Sequence, residues 1–188
     1  MNLAAWRIGA LFALAMLVPT FSRAQAPLAD ALGPEVPTAK VVGGFVGKLS
    51  VSPDHGPAGT PVHVVADGLP PNQDFALVWR TVKGAWKIEG AQGEEYHGRE
   101  FQPVAYQIAQ VGSDSSGHVT ATFVTPDDFG FEHDIVLQQG QRLFIQTAYS
   151  VDMTIKLSPE SGPVGTPIKV DVHGIGWREL ESSWVLLY

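Results

Sequence analysis

Cysteine is absent from the 188 residues. The absence excludes disulfide staples, thiol nucleophiles, cysteine-ligated zinc and a lipidated cysteine anchor. Cations are scarce as well: twelve Lys and Arg stand against nineteen Asp and Glu, a net charge of −7. They form no run, and a phosphate backbone needs clustered cations to neutralise it, so nucleic acid is excluded as a partner. Long apolar runs are missing too. The longest, Ile8–Val18, holds eleven residues including one glycine, and a bilayer-spanning helix requires about 20. No stretch keeps a helical period. There is no His-x-x-x-His pair, no Gly-x-Ser-x-Gly elbow and no glycine-rich phosphate loop leading into a helix.

Turn residues are what the chain has in excess. Its 20 Gly and 14 Pro make up about 18% of the residues, against an average of roughly 12%. Apolar residues, at 45%, suffice for a core. This balance suits an all-β protein with many turns.

One stretch occurs twice, and a repeat of this kind sets the architecture. Residues 52–68 read SPDHGPAGTPVHVVADG and residues 158–174 read SPESGPVGTPIKVDVHG. They align without a gap at an offset of 106 and agree at nine of seventeen positions. Each proline pushes the residue before it towards extended geometry. Gly59-Thr60 and Gly165-Thr166 then mark a turn into a strand. In that strand Val62, Val64 and Ala66, or Ile168, Val170 and Val172, form the apolar face. Gly68 and Gly174 end it.

In chain order, residues 1–24 read as a signal peptide. Arg7 supplies the positive start, Pro19 breaks the apolar run, and Ser22-Arg23-Ala24 offers a cleavage site. Losing Arg7 and Arg23 leaves ten basic and nineteen acidic residues, a net of −9. After cleavage no stable membrane span is expected. Export without cysteine points to a bacterial periplasmic, surface or secreted protein. Residues 25–48, rich in Pro and Gly, read as a linker with a short strand at Lys40–Val42.

A first module is expected over 49–151 and the start of a second over 152–188. In the first, Phe75, Leu77 and Trp79 share one strand face, and Trp79 belongs in the core. Lys83-Gly84 reads as a tight turn with Ala85–Glu89 returning as a hairpin arm, and 90–103 reads as irregular. Asp114-Ser115-Ser116-Gly117 is a hairpin turn, and Gln139-Gly140 another. Seven or eight short strands without a helical period predict an immunoglobulin-like β-sandwich. In the second module Trp184–Tyr188 repeats the pattern of Phe75–Trp79 at an offset of 109, so a truncated sandwich is expected in a fragment of a longer protein. Edge-strand pairing through 155–188 is the expected consequence of its unfinished sheet.

Ser158-Pro159, Gly162–Thr166, the alternating Ile168–Val172 and Gly174–Trp177 resemble the immunoglobulin-like, IPT/TIG-like repeats of bacterial secreted and surface proteins. The first copy departs from that pattern, with Leu69-Pro70 in place of Ile175-Gly176. The resemblance covers about 140 residues and implies spacer, adhesion or binding modules. It is nearly silent on activity, since fold does not fix function.

Side-chain chemistry adds little. The six histidines are spread over strands and turns, and are read as exposed or hydrogen-bonded rather than metal-binding. The carboxylates near His97 (Glu89, Glu94, Glu95, Glu100) and those at 127–134 (Asp127, Asp128, Glu132, Asp134) lack the Asp-x-Asp-x-Asp-Gly spacing of a calcium loop. They are read as solvated acidic loops. The aromatics Trp86, Tyr96 and Phe101 are the candidate ligand-binding residues, because sugars and protein partners both use exposed rings as platforms. No cofactor, metal or catalytic residue is expected. The expected function is a non-enzymatic interaction or adhesion module with a protein or glycan partner. The alternatives are an accessory carbohydrate-binding module of a secreted enzyme, or a piece of a secreted hydrolase whose catalytic part lies elsewhere.

Overall fold

The computed structural model describes residues 32–90 and 95–175, without the side chains of Ala85, Trp86, Ile88, Tyr96, Arg99 and Phe131. The signal peptide expected at 1–24 and the run Trp184–Tyr188 lie outside the described residues. Twelve strands and no helix occur among those residues: β1 Glu35–Val36, β2 Lys40–Val41, β3 Lys48–Ser52, β4 His55–Pro57, β5 Pro61–Asp67, β6 Asp74–Glu89, β7 Glu95–Gly112, β8 Val119–Val124, β9 Phe131–Gln139, β10 Arg142–Asp152, β11 Thr154–Ser158 and β12 Lys169–His173. No helix among them is long and apolar enough to cross a membrane.

The strands form an all-β, sandwich-like fold. A seven-stranded sheet runs β1-β7-β6-β9-β10-β2, with β4 also pairing to β10, and a three-stranded sheet runs β3-β5-β8. Alternation decides what lies between them. Leu49, Val62, Val64, Ala66, Val119 and Phe123 point inward from the smaller sheet. They meet Phe75, Leu77, Trp79, Ile135, Leu137, Phe144 and Tyr149 of the larger one. Trp79, the largest fully buried side chain, stacks on His133 at 4.5 Å and meets Phe123 and Tyr149 edge-on or tilted at 6.2 and 6.1 Å.

The larger sheet is apolar on both faces in its middle, since Val78 and Val136 point away from the sandwich core. Its outer face needs a second cover. Val36 and Ala39 supply it, packing with Val78, Ala105, Val136 and Leu143. Of the 25–48 stretch expected as a linker, the described residues 32–48 contribute β1 and β2, paired to β7 and β10, and β2 falls on the short strand expected at Lys40–Val42. Gly and Pro content predicts a tether, whereas the apolar outer face recruits Val36 and Ala39.

A second correction concerns the hairpin β6–β7. Gly84 does not turn but stays extended opposite Phe101, and pairing runs on to Glu89↔Glu95. The left-handed glycine needed near the reversal is Gly90, with φ 102°. Most of the stretch read as irregular, 95–103, is thus strand. The turn at Asp114–Gly117 is as expected: Asp114 Oδ1 accepts from the amides of Ser116 and His118 at 2.8 and 3.0 Å, and Gly117 has φ 78°.

Candidate functional site

The second copy of the repeat forms the same hairpin in the same register, with a shorter second strand and, among the described residues, no counterpart of β4. In β3–β5, Leu49 pairs with Ala66 and Val51 with Val64; in β11–β12, Ile155 pairs with Val172 and Leu157 with Val170. Each of these residues is its counterpart moved by 106 positions. Ser52-Pro53 and Ser158-Pro159 are both cis. Thr60 Oγ1 donates to the Pro57 carbonyl at 2.7 Å, and Thr166 Oγ1 to the Pro163 carbonyl at 2.7 Å. Only glycine fits at 56 and 162, because a Cβ there would stand 2.8 and 2.6 Å from those threonine hydroxyls.

The surroundings differ. β5 pairs on its far side with β8, from Pro61↔Val124 to Ala66↔Val119. β12 has no strand on that side among the described residues. Leu49 and Val62 are 6% and 0% exposed, whereas Ile155 and Ile168 are 60% and 52% exposed. Among the described residues, an edge without a neighbouring strand and exposed apolar side chains therefore lie together on this repeat, and this is the candidate site. Its polar face is charged: Lys169 Nζ meets Asp171 Oδ2 at 2.7 Å, and that hydrogen bond holds the Asp171 carboxyl below its usual range.

The segment 125–130 fastens this hairpin to the sandwich. Asp127 Oδ1 accepts from the Gly174 amide at 3.1 Å, and its Oδ2 accepts from His173 Nδ1 at 2.8 Å. Phe129 bridges to Ile175, and the Gly130 amide donates to the Gly174 carbonyl. On the sandwich side, Asp128 Oδ2 accepts from the Trp79 indole at 3.0 Å, and both ring nitrogens of His133 face carbonyl oxygens, of Arg80 and Phe129. The reading of Asp127 and Asp128 as solvated loop residues is thus corrected: both are buried. A buried carboxylate needs donors, and the indole, the Gly174 amide and the His173 ring provide them. Sequence reasoning missed this clasp because its partners lie 46 to 49 residues away. The one hint is the placing of the two acids between Pro126 and Phe129.

The aromatic candidates all fall on the long hairpin β6–β7. Trp86 stands opposite Arg99, Tyr96 opposite Ile88 and Phe101 opposite Gly84. The Phe101 ring is 53% exposed; the side chains of Trp86 and Tyr96 lie outside the described residues. At the same end, His97 Nε2 lies 3.7 Å from Glu89 and 3.3 Å from Glu95. These are the one group among the described residues with donor atoms spaced for a shared cation, and all three are exposed. A shallow depression on the outer face of the three-stranded sheet, about 230 Å³, is lined by His63, Val64, Val65, Thr120, Ala121 and Thr122 and holds no carboxylate. Two further groups are perturbed near the Asp114 turn. The bond from Ser116 Oγ, then the backbone amides, pull Asp114 down to about 2, and the bond to Asp67 raises His118.

No protein-family model matches the chain, and neither does any curated protein. Among solved structures, macromomycin is similar over 69% of this chain and 99% of its own, at 16% identity and a TM-score of 0.24. A likeness that slight carries no argument.

Proposed function

We propose that the chain is an exported, non-enzymatic protein of tandem immunoglobulin-like repeats, related to the IPT/TIG-like repeats of bacterial surface proteins and serving as an interaction or adhesion module. One observation supports this above others: the second hairpin repeats the first in register, yet among the described residues its outer edge has no neighbouring strand and Ile155 and Ile168 are exposed. Sheet edges of this kind bind by strand addition, in which main-chain bonds give affinity and alternate side chains give selectivity. The first repeat states the chemistry that suits such an edge. It is an antiparallel strand with apolar residues at alternate positions, like Val119, Ala121 and Phe123 of β8.

A synthetic peptide of residues 118–124 tests the reading. It should bind the chain saturably and protect the amides of β12 from hydrogen exchange. A peptide with the same composition and the alternation destroyed should not bind. Failure of the native peptide would remove the basis of the reading, and hydrolytic turnover by the purified chain would overturn its non-enzymatic part.

The accessory carbohydrate-binding reading rests on a different observation, the exposed Phe101 ring on a hairpin that also carries Trp86 and Tyr96. A glycan-array signal lost on Trp86→Ala, Tyr96→Ala and Phe101→Ala would favour it. No signal in the unaltered chain would dismiss it.

A further inference from the structure

We infer that β12 pairs with β12 of a second copy of this chain, antiparallel and centred on Val170. The inference rests on the interaction-module reading and names the partner. Of the two edges of the β11–β12 hairpin, the repeat singles out one. β3 is an edge strand in the first repeat, so its counterpart β11 is expected to be one too. β5 is flanked on both sides, so it is the outer side of β12 that lacks a neighbour among the described residues.

A two-fold axis at Val170 sets each residue against a suitable partner. Val170 meets its own copy. Ile168 meets Val172 of the second copy, and Val172 meets Ile168, so the apolar faces stay on one side of a four-stranded sheet. Lys169 meets Asp171 of the second copy, and Asp171 meets Lys169. The existing Lys169–Asp171 pair, 2.7 Å apart, becomes half of a ring of four alternating charges. Opposite charges directly across a ladder stabilise it, and like charges destabilise it. Shifting the axis by one residue to Asp171 sets Asp171 against itself and Lys169 against His173, so charge selects the Val170 register. The span Ile168–Val172 lies within the span that β8 covers on β5 in the first repeat, Pro61–Ala66 moved by 106 residues. The interface is self-complementary, as a two-fold dimer requires. It is also small, so a dissociation constant on the order of tens of micromolar is expected.

The absence of cysteine from the chain makes the test clean. Residues facing each other across an antiparallel pair have Cα atoms about 5 Å apart, within disulfide range. The 188-residue chain carrying Val170→Cys should form a covalent dimer on mild oxidation, and Asp171→Cys should not. Lys169→Asp and Asp171→Lys, both exposed changes that leave the sandwich intact, should each weaken dimerisation by roughly tenfold, and the double swap should restore it. Cross-linking through Asp171→Cys instead, or charge swaps without effect, would overturn the register. A chain that stays monomeric in light scattering at about 1 mM, far above the expected constant, would overturn self-pairing. If the 118–124 peptide still binds that monomer, the interaction-module reading survives; if it does not, both fall.

Discussion

Leu49 and Ile155 occupy the same place in two hairpins that share register, turn hydrogen bonds and cis prolines, yet one is sealed and the other faces water. The comparison separates two kinds of information. The local motif, with its Ser-Pro, Gly-Pro-x-Gly-Thr and closing glycine, is enough to specify the hairpin and its pairing. Burial comes from elsewhere, from β8 on the edge and from Phe75, Leu77 and Trp79 across the core. A two-stranded hairpin is marginal in water by itself. The second one is instead fastened at one end, where Asp127 and Gly130 hold Gly174. The first repeat is therefore a hairpin used as a wall, and the second is a hairpin fastened to the sandwich at its Gly174 end.

The sharpest way to break the comparison is to shorten the matched residues. Leu49→Ala should cost about 3 kcal/mol in chemical denaturation, because it opens a cavity between two sheets. Ile155→Ala should stay within about 0.5 kcal/mol, as exposed substitutions do. Equal costs would mean that the second face is covered in solution. Next in size is the clasp. Asp127→Ala removes a carboxylate that two donors share, and should weaken the hold on the second hairpin by about 2 kcal/mol. Hydrogen exchange should then quicken in β11 and β12 and be unchanged in β3 and β5.

Smaller effects sharpen the contrast. Gly59 and Gly165 have φ of 87° and 92° with open space around them, so alanine meets only the backbone cost, about 1 kcal/mol. Gly59→Ala should lower the melting temperature of the whole sandwich, and Gly165→Ala should affect only local protection of the second hairpin. The smallest expected effect is from pH. Asp114 has its folded pKa depressed to about 2, so the stability it lends is complete above the ordinary carboxylate range and is lost as pH falls through that value. His118 is raised by Asp67, so its contribution is complete below the ordinary histidine range and fades as pH rises through the raised value. NMR titration of the His118 ring should show that raised midpoint, and Asp67→Asn should bring it down. The Asp114 turn lies in the first repeat, so β11–β12 shifts should be indifferent to both.

Legibility in the sequence followed the range of the interaction. The hairpins, the Asp114–Gly117 turn and the inward set Phe75, Leu77 and Trp79 are written within a few residues, as alternation and turn chemistry. Gly84 misled because a Lys-Gly pair resembles a turn, and only the strand pairing with Phe101 keeps it extended. Asp127 and Asp128 looked solvated because nothing nearby reveals the Trp79 indole or the Gly174 amide that meets them. The candidate aromatics Trp86, Tyr96 and Phe101 cluster in the sequence, and strand pairing spreads them along the β6–β7 hairpin. The unfinished sheet over 155–188 is legible in the sequence, whereas the side of it that lacks a neighbour among the described residues, the outer side of β12, is set by strand pairing in three dimensions.

The strip at Val36–Val41 has a consequence for the order of assembly. β2 runs parallel to β10, with Lys40 beside Arg142, roughly a hundred residues later in the chain, and such long-range pairing forms slowly. During synthesis the first strands to emerge wait for almost the last of the sandwich, while each hairpin of the repeat can close as soon as it is made. The outer surface of the large sheet is thus the last to be clad, and a nascent chain shows it bare until then.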